Sequence, residues 1–338
     1  MLHSSRNRIT IEDVAKRAGV SIATVSRVVS GAQNVSLTTS AKVNAAIQEL
    51  GYMPNPIARQ LAGQRTNTIG LVLDEIVGDF FQPMLRGIER ACTENGYDLL
   101  IHSRRMWRRS GSYPVGEHNT DGMIVFSNSL PEEELRRMHA AGYPVVLMHQ
   151  TPPSDVNIPC VTIENKSGAR RMVDYLIEQR GYTCIAFLRG PDGNEDSRWR
   201  ELGYRESLFA HGIELDEQFV GYGGFEEAQA HHTVTQWIRQ GRRPRVIFAA
   251  DDDSAIGVMF ALKEAGLRVP DDVAVVGFDD IRLGAYLTPA LTTVRAPIER
   301  VSQVAVERLL QVMKTGSAEP LTLLPTELII RESCGYHP

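Results

Sequence analysis

Only four cysteines occur in the 338 residues (Cys92, Cys160, Cys184 and Cys334), and no two form a Cys-x-x-Cys pair. That excludes a zinc ribbon or a disulfide scaffold and suits a reducing compartment. No run approaches 18 apolar residues, so no membrane span is expected. The opening MLHSSRNRIT holds no apolar signal core, so a secreted chain is not expected. The serine-hydrolase Gly-x-Ser-x-Gly, the phosphate loop Gly-x-x-x-x-Gly-Lys and the zinc motif His-Glu-x-x-His are all missing. An excess of positive charge is missing too: 36 Lys+Arg face 41 Asp+Glu, a net charge of -5. Taken whole, a mildly acidic chain speaks against nucleic acid as a partner.

The charge is unevenly placed. Residues 1–65 carry eight Lys/Arg against three acids, or +5, and the remaining 273 carry 28 against 38, or -10. From Thr68 onward short Val- and Ile-rich runs alternate with amphipathic stretches. The runs are Ile69–Leu73, Tyr97–His102, Gly122–Phe126, Val145–Met148, Cys160–Ile163, Cys184–Leu188, Val246–Ala249 and Val273–Phe278. That rhythm predicts parallel β-sheet covered by helices on both faces. The runs are too many for one comfortable open sheet. Two sheets of similar plan, halves of a clam shell, are expected; one large doubly wound domain or a β/α barrel is the alternative.

The first 65 residues show helical spacing instead. Thr10 followed by Asp13 reads as a capping box. Ile11, Val14, Ala15 and Ala18 then fall on one helix face, and Gly19 stops it. Ser21 caps a second helix with Val25, Val28 and Val29 inward and Ile22, Ala23, Ser26 and Arg27 outward. A third begins near Ser36, with Val43, Ala46, Ile47 and Leu50 inward and Gly51 as terminator. Ala15, Gly19 and Val25 have the spacing of a helix-turn-helix: a small contact residue, a tight turn and an apolar lock. A three-helix protein-binding bundle would share this periodicity, but the outward face of the second helix is short and polar. Ser21 and Thr24 there can bond phosphates. Asn55-Pro56 then opens a helix of about two turns, too short to stand alone in water. Its Leu61 has no evident core, and a minor-groove wedge is one outlet for it.

At this point the chain resembles a family. ITIEDVAKRAGVSIATVSRVVSG, then YMPNPIARQLAG, then TIGLVLDEIVGDFFQPMLRGIERACTENGYDLL are similar to the lac repressor/gal repressor family of bacterial transcription regulators. The resemblance runs from Ile9 to about Arg331. It implies an all-α helix-turn-helix headpiece (1–54), a hinge helix and linker (55–65), and an α/β two-subdomain core resembling periplasmic binding proteins (66–338). The N-subdomain would span about 66–165 and 297–324, the C-subdomain about 166–295 and 325–338. It also implies a homodimer on palindromic double-stranded operator DNA, a small-molecule effector between the subdomains, no cofactor, no metal, and residence in the bacterial cytoplasm on the nucleoid. Helix two would enter the major groove. Ile22 and Ala23 suit a thymine methyl, and Arg27 can fork onto guanine O6 and N7. Ser21, Thr24 and Ser26 would hold phosphates, and Thr10 and Asn34 complete the contact set. Ala58 and Leu61 would meet the minor groove in the hinge.

In open α/β sheets ligands sit at the carboxyl ends of strands. Phe81, His149, Arg200, Phe225, Asp251, Asp252 and Asp279 stand just after the predicted strands or on the family's ligand positions. Rings, carboxylates and an arginine are the mixture a sugar site uses. Two departures matter. His149 stands where the family carries Asp, and Asp251-Asp252 replaces its Asn-Asp. The run Asp251–Asp253 could also be a helix N-terminal cluster or, less readily, a metal site. Arg104–His118 is richer in Gly, Ser and Arg than the family's second helix. No leucine heptads follow the core, which favours a dimer over a tail-joined tetramer.

The leading function is an effector-controlled transcription regulator, a repressor by the family's default, with a sugar effector. A purine-type effector, a sugar- or nucleotide-acting enzyme and a transport-type binding protein are the alternatives. If Arg27 reads a base edge, Arg27→Ala loses about 1–3 kcal/mol of operator affinity and little affinity for random DNA. Equal losses on both, measured by titration against labelled duplexes, would reduce Arg27 to a phosphate contact.

Overall fold

The computed structural model describes residues 9–29, 35–52, 65–103 and 115–336. The chain divides into two compact units, Met1–Thr66 and Asn67–Pro338.

The first unit holds α1 (Ile11–Ala18), α2 (Ile22–Val29) and α3 (Leu37–Leu50). The capping box at the start of α1 is complete. The Thr10 amide donates to Asp13 Oδ2 at 2.8 Å, and the Asp13 amide donates back to Thr10 Oγ1 at 3.4 Å. Gly19 ends α1 in the left-handed conformation, at φ 67°, which any side chain would strain. Ser21 Oγ accepts the Thr24 amide at the head of α2, and Ser36 Oγ accepts the Thr39 amide at the head of α3. Val14, Ala15, Val25, Val43 and Ala46 form the small buried core where the three helices meet.

The second unit is built from two six-stranded sheets. The first contains β1 (Thr68–Leu73), β2 (Asp98–Ser103), β3 (Gly122–Phe126), β4 (Val145–Met148), β5 (Cys160–Ile163) and β11 (Leu321–Leu324), in the order β11-β5-β4-β3-β1-β2. The second contains β6 (Ile185–Arg189), β7 (Val220–Tyr222), β8 (Val246–Ala249), β9 (Ala274–Asp279), β10 (Thr292–Arg295) and β12 (Glu327–Ile329), in the order β12-β10-β9-β8-β6-β7. The two orders are the same plan used twice. Every neighbouring pair is parallel except β10 with β12. The chain passes between lobes three times, at Glu164, between Arg295 and Ile298, and between Leu324 and Glu327. The single-sheet and barrel alternatives therefore fall. β7, β10, β11 and β12 have no counterpart among the predicted apolar runs. Each is three or four residues long, and β7, β11 and β12 lie at or next to a sheet edge, where an apolar run is not required.

Strand alternation sends residues to both faces of each sheet. In the first lobe Ile69, Leu71, Ile124 and Val146 meet α4 (Phe81–Glu94) and α10 (Ile298–Thr315), while Val72, Met123, Val125 and Leu147 meet α5 (Glu132–Ala140). In the second lobe Phe187, Phe248 and Val276 face α6 (Asn165–Glu178) and α7 (Glu195–Ala210). Leu188, Ile247 and Val275 face α8 (Glu227–Arg239) and α9 (Asp252–Glu264).

The α6–α7 pair is packed too closely for a methyl group at one point. A Cβ on Gly203 would lie 2.2 Å from the carbonyl oxygen of Lys166. In an open helix Gly→Ala stabilises by about 1 kcal/mol. Here backbone would have to move, and such overpacking costs about 1–3 kcal/mol. Gly203→Ala should therefore lower the melting temperature in a thermal unfolding scan; an unchanged or higher one would refute the close contact.

Candidate functional site

On the first unit, α2 carries its exposed residues together. Ser21, Ile22, Ala23 and Arg27 are exposed and Thr24 and Ser26 are half-buried, while Val25 is turned fully into the core. Ile22 on this face is 47% exposed. Ser21 and Thr24 hydroxyls lie 2.9 Å apart at the helix N-terminus. Thr10 is exposed at the head of α1. Asn34, Ala58 and Leu61 lie outside the described residues, as does most of the predicted hinge.

On the second unit, the carboxyl ends of the strands of both lobes converge. Arg200 of α7 is at the centre, with 2% of its surface exposed. Its Nε donates to Asn165 Oδ1 at 2.9 Å and its Nη1 to the carbonyl of Ala250 at 2.6 Å. Its Nη2 lies 3.1 Å from Asp279 Oδ1 and 3.9 Å from Asp196 Oδ2. The guanidinium sits 3.8 Å above the ring of Phe278 and 5.8 Å from that of Phe225. Phe225 itself covers Gly190, where a Cβ would meet the ring at 2.4 Å, so only glycine admits it.

Across the cleft, His149 ends β4, and its Nδ1 is 2.6 Å from Asp196 Oδ2 on α7. Asn165 Nδ2 donates to the other oxygen of Asp196 at 2.7 Å. Phe80, Phe81, Phe126 and His149 form one ring cluster, with centroids 5.5–6.0 Å apart. More bonds join the lobes beside this pair. Asn128 Nδ2 donates to Gly193 O at 3.0 Å, Asn194 Nδ2 to Ser127 Oγ at 3.2 Å, and the Thr151 amide to Glu195 Oε2 at 2.6 Å. A polar pocket of about 510 Å³ flanks them, lined by Gln150, Thr151, Arg189, Glu195 and Arg198 among others.

His149, Phe225 and Asp279 all have positive φ, of 58°, 58° and 111°. Non-glycine residues held there are strained, and such strain concentrates at ligand sites. The carboxylates are perturbed as well. Burial pushes Asp251 up to about 7, helped by the charges of Asp279 and Asp253 and opposed by the Ser254 side chain and Arg200; its Oδ1 also accepts the Ser254 amide at 3.3 Å. Burial lifts Asp279 to about 6 against the pull of Arg200. Burial and the charge of Asp79 lift Asp253 to about 6. Burial works against Asp196 too, yet the His149 imidazole, Arg200 and Asn165 overcome it and hold it below the usual carboxylate range.

Six of the seven predicted cleft residues thus come together at the strand ends. Asp252 does not. It is fully buried: its Oδ1 accepts from Thr293 Oγ1 at 2.6 Å and its Oδ2 from the Ile281 amide at 2.8 Å, so it braces α9 against β10. Asp196, Asn165, Phe80 and Phe126 were not anticipated. Asp196 sits in the first turn of α7, where an acid reads as ordinary helix-dipole chemistry. No helix among the described residues is long and apolar enough to cross a membrane.

Residues 10–55 match the family described as bacterial regulatory proteins, lacI family, and residues 173–334 match the periplasmic binding protein-like domain. The chain is 33% identical over 308 residues to the ribose operon repressor of Escherichia coli (strain K12), covering 89% of this chain and 92% of that one. Among solved structures, a transcriptional regulator CelR–cellobiose complex is 32% identical with a TM-score of 0.71, over 96% of this chain and 100% of the other. A lac repressor dimer bound to operator and the anti-inducer ONPF is 28% identical with a TM-score of 0.82, over 97% and 99%.

The raised Asp251 gives a signed test. A carboxyl group held above its unfolded value adds stability that is complete below about pH 4 and is lost as pH rises through 7. Asp251→Asn keeps a capping oxygen without the charge. The variant should match the wild type near pH 4 and exceed it at pH 8, by on the order of 1–4 kcal/mol. Denaturant titrations at the two pH values decide it, and a difference independent of pH would refute the assignment.

Proposed function

This chain belongs to the lacI family of bacterial regulatory proteins, and within that family we propose a cytoplasmic, non-enzymatic repressor that binds a palindromic operator as a homodimer and takes a small sugar as effector. Residues 1–54 are the reading head, 55–65 the hinge, and 66–338 the effector-binding and dimerisation core. Ser21, Thr24 and Ser26 hold phosphates. Ile22, Ala23 and Arg27 read base edges, and Thr10 and Asn34 support them. Ala58 and Leu61 engage the minor groove. One such head covers few base pairs, so a dimer on a palindrome multiplies its specificity.

The observation that carries the effector reading is the pairing of a phenylalanine wall with a buried arginine–carboxylate network at one set of strand ends. Phe81 and Phe225 offer flat faces to the ring of a sugar, and Arg200, Asp251, Asp279 and His149 address its hydroxyls. The likeness to a ribose operon repressor and to a regulator solved with cellobiose fits a sugar; repressors named PurR are 33–36% identical as well, so the choice of a sugar rests on the cleft residues. The carboxylates serve binding: the reading includes no bond cleavage, and a bound sugar is released unchanged.

Binding of the effector bridges the lobes and changes their angle. Operator affinity then shifts by the difference between the effector's affinities for the two states. The test is a pair of measurements on the full chain and on a chain lacking residues 1–66. A thermal-shift screen with ribose, cellobiose, sugar phosphates and purines should give a sugar hit on both. Operator binding should appear only with the full chain and should weaken steeply with salt. A purine hit with no response to any sugar overturns the effector class, and operator binding by the truncated chain overturns the division of labour.

A further inference from the structure

The polar pocket of about 510 Å³ beside the lobe-joining bonds takes no part in the functional reading above. Phe81, His149, Arg200, Phe225, Asp251 and Asp279 are all absent from its wall, so it stands apart from the effector residues. Both lobes build it. The first supplies Asn128, the start of α5 and the segment 150–154 after β4; the second supplies the segment 189–195 after β6 and the first turns of α7.

Its wall holds four acids, Glu132, Asp192, Glu195 and Glu201, and each is already answered. Glu195 accepts from the amide and hydroxyl of Thr151 and from the Trp199 indole. Glu132 pairs with Arg136 at 2.7 Å, Glu201 with Arg205 at 2.8 Å and Asp192 with Arg189 at 2.5 Å. The donors are in the opposite condition. Gln150 is 6% exposed, and its carboxamide oxygen accepts the Asn128 amide. That bond fixes which way the amide points and leaves Nε2 without a partner. Ser197 is 4% exposed; its Oγ accepts the Gly190 amide at 2.7 Å, and its own hydrogen goes to no acceptor. Among the described residues Arg198 makes no ion pair or hydrogen bond, and its guanidinium rests 5.4 Å from the ring of Trp199. Arg189 gives Nη1 to Asp192 and keeps its other nitrogens.

We propose that this pocket binds the oxyanion of a small metabolite, a phosphoryl or carboxylate group, with Gln150 of the first lobe and Arg189, Ser197 and Arg198 of the second donating to it. A buried donor left unmade costs about 1–3 kcal/mol, and two of these donors are more than nine-tenths buried. An oxyanion accepts several hydrogens at once, and bonds from guanidinium groups to it are stronger than neutral ones. A cation entering here would meet two guanidinium groups and acids that are already paired. Because the donors come from both lobes, the anion ties the lobes together beside Thr151–Glu195 and Asn128–Gly193. Its binding energy then counts towards the arrangement of the lobes that brings the donors together, and an anion held there is coupled to any ligand that changes their angle.

Calorimetric titration of the full chain tests this, with inorganic phosphate and succinate as probes and chloride holding the ionic strength at about 0.15 M. At least one probe should saturate a single site per chain. Phosphate alone would mark a phosphoryl site, and succinate alone a carboxylate site. Gln150→Leu and Arg198→Ala should each weaken the binding about tenfold or more. Arg198 is exposed, so Arg198→Ala decides the matter if Gln150→Leu does not fold. Arg137→Ala removes an exposed arginine outside the pocket and should bind as the wild type does. No saturable binding of either probe overturns the proposal. So does binding that survives Arg198→Ala, and so does an equal loss in Arg137→Ala, which would reduce the effect to net charge. In hydrogen exchange the bound probe should slow amides in both 150–154 and 190–194; protection confined to one lobe overturns the bridge.

Discussion

A single buried cation organises the core. Arg200 cannot lose its charge, and removing a guanidinium from water is costly unless it is paired and hydrogen-bonded. Its surroundings answer that demand from four directions: an amide oxygen at the start of α6, a backbone carbonyl after β8, a carboxylate at the end of β9 and a second carboxylate one turn away on α7. The ring of Phe278 supplies the remaining face. Each group sits at a strand end or a helix start, so satisfying this charge fixes the ends of the second sheet relative to one another. Asp196, drawn in by Arg200, reaches His149 and extends the network into the first lobe.

That dependence explains why the cleft carboxylates behave so differently from each other. Asp196 has a cation, an imidazole and an amide and stays ionised below the ordinary range. Asp251 lies a short way off in the same region, where burial, backed by the charges of Asp279 and Asp253 and only partly offset by Ser254 and Arg200, pushes it up to about 7. The two residues belong to the same chemical type and both begin a helix. Their protonation is set by which neighbour the fold brings within reach. A ligand entering here meets a site with both charged and protonated carboxyl groups, which can accept and donate in turn.

Much of this was legible in the sequence. Eight apolar runs mark eight of the strands; seven of these lie inside their sheets, where burial on both faces demands apolar residues, and β2 is an edge strand that keeps an apolar stretch. The helix-turn-helix could be read from Thr10, Gly19, Ser21 and Val25, because caps and tight turns restrict residue type locally. The edge strands β7, β11 and β12 were not legible, since little burial constrains them, and β10 was not because its buried Thr292 and Thr293 are polar residues satisfied by hydrogen bonds. Nor was the part played by Asp252: three adjacent acids look alike in sequence, and only the positions of Thr293 and Ile281, some 30–40 residues away, separate a brace from a ligand. Asp196 failed to stand out for the same reason. Its significance comes from His149, 47 residues earlier, in the other lobe.

The clasp also bears on how much an effector can do. A ligand shifts a two-state equilibrium only by the difference in its affinity for the two states. In a cleft that stayed open until filled, the ligand would have to supply the whole free energy of closing it. Here His149–Asp196, Thr151–Glu195, Asn128–Gly193 and Asn194–Ser127 already join the lobes. A ligand that favours this arrangement has those bonds on its side, and one that changes the angle between the lobes has to break some of them. In either case its leverage is the difference between its own contacts in the two arrangements, set against bonds the lobes make without it.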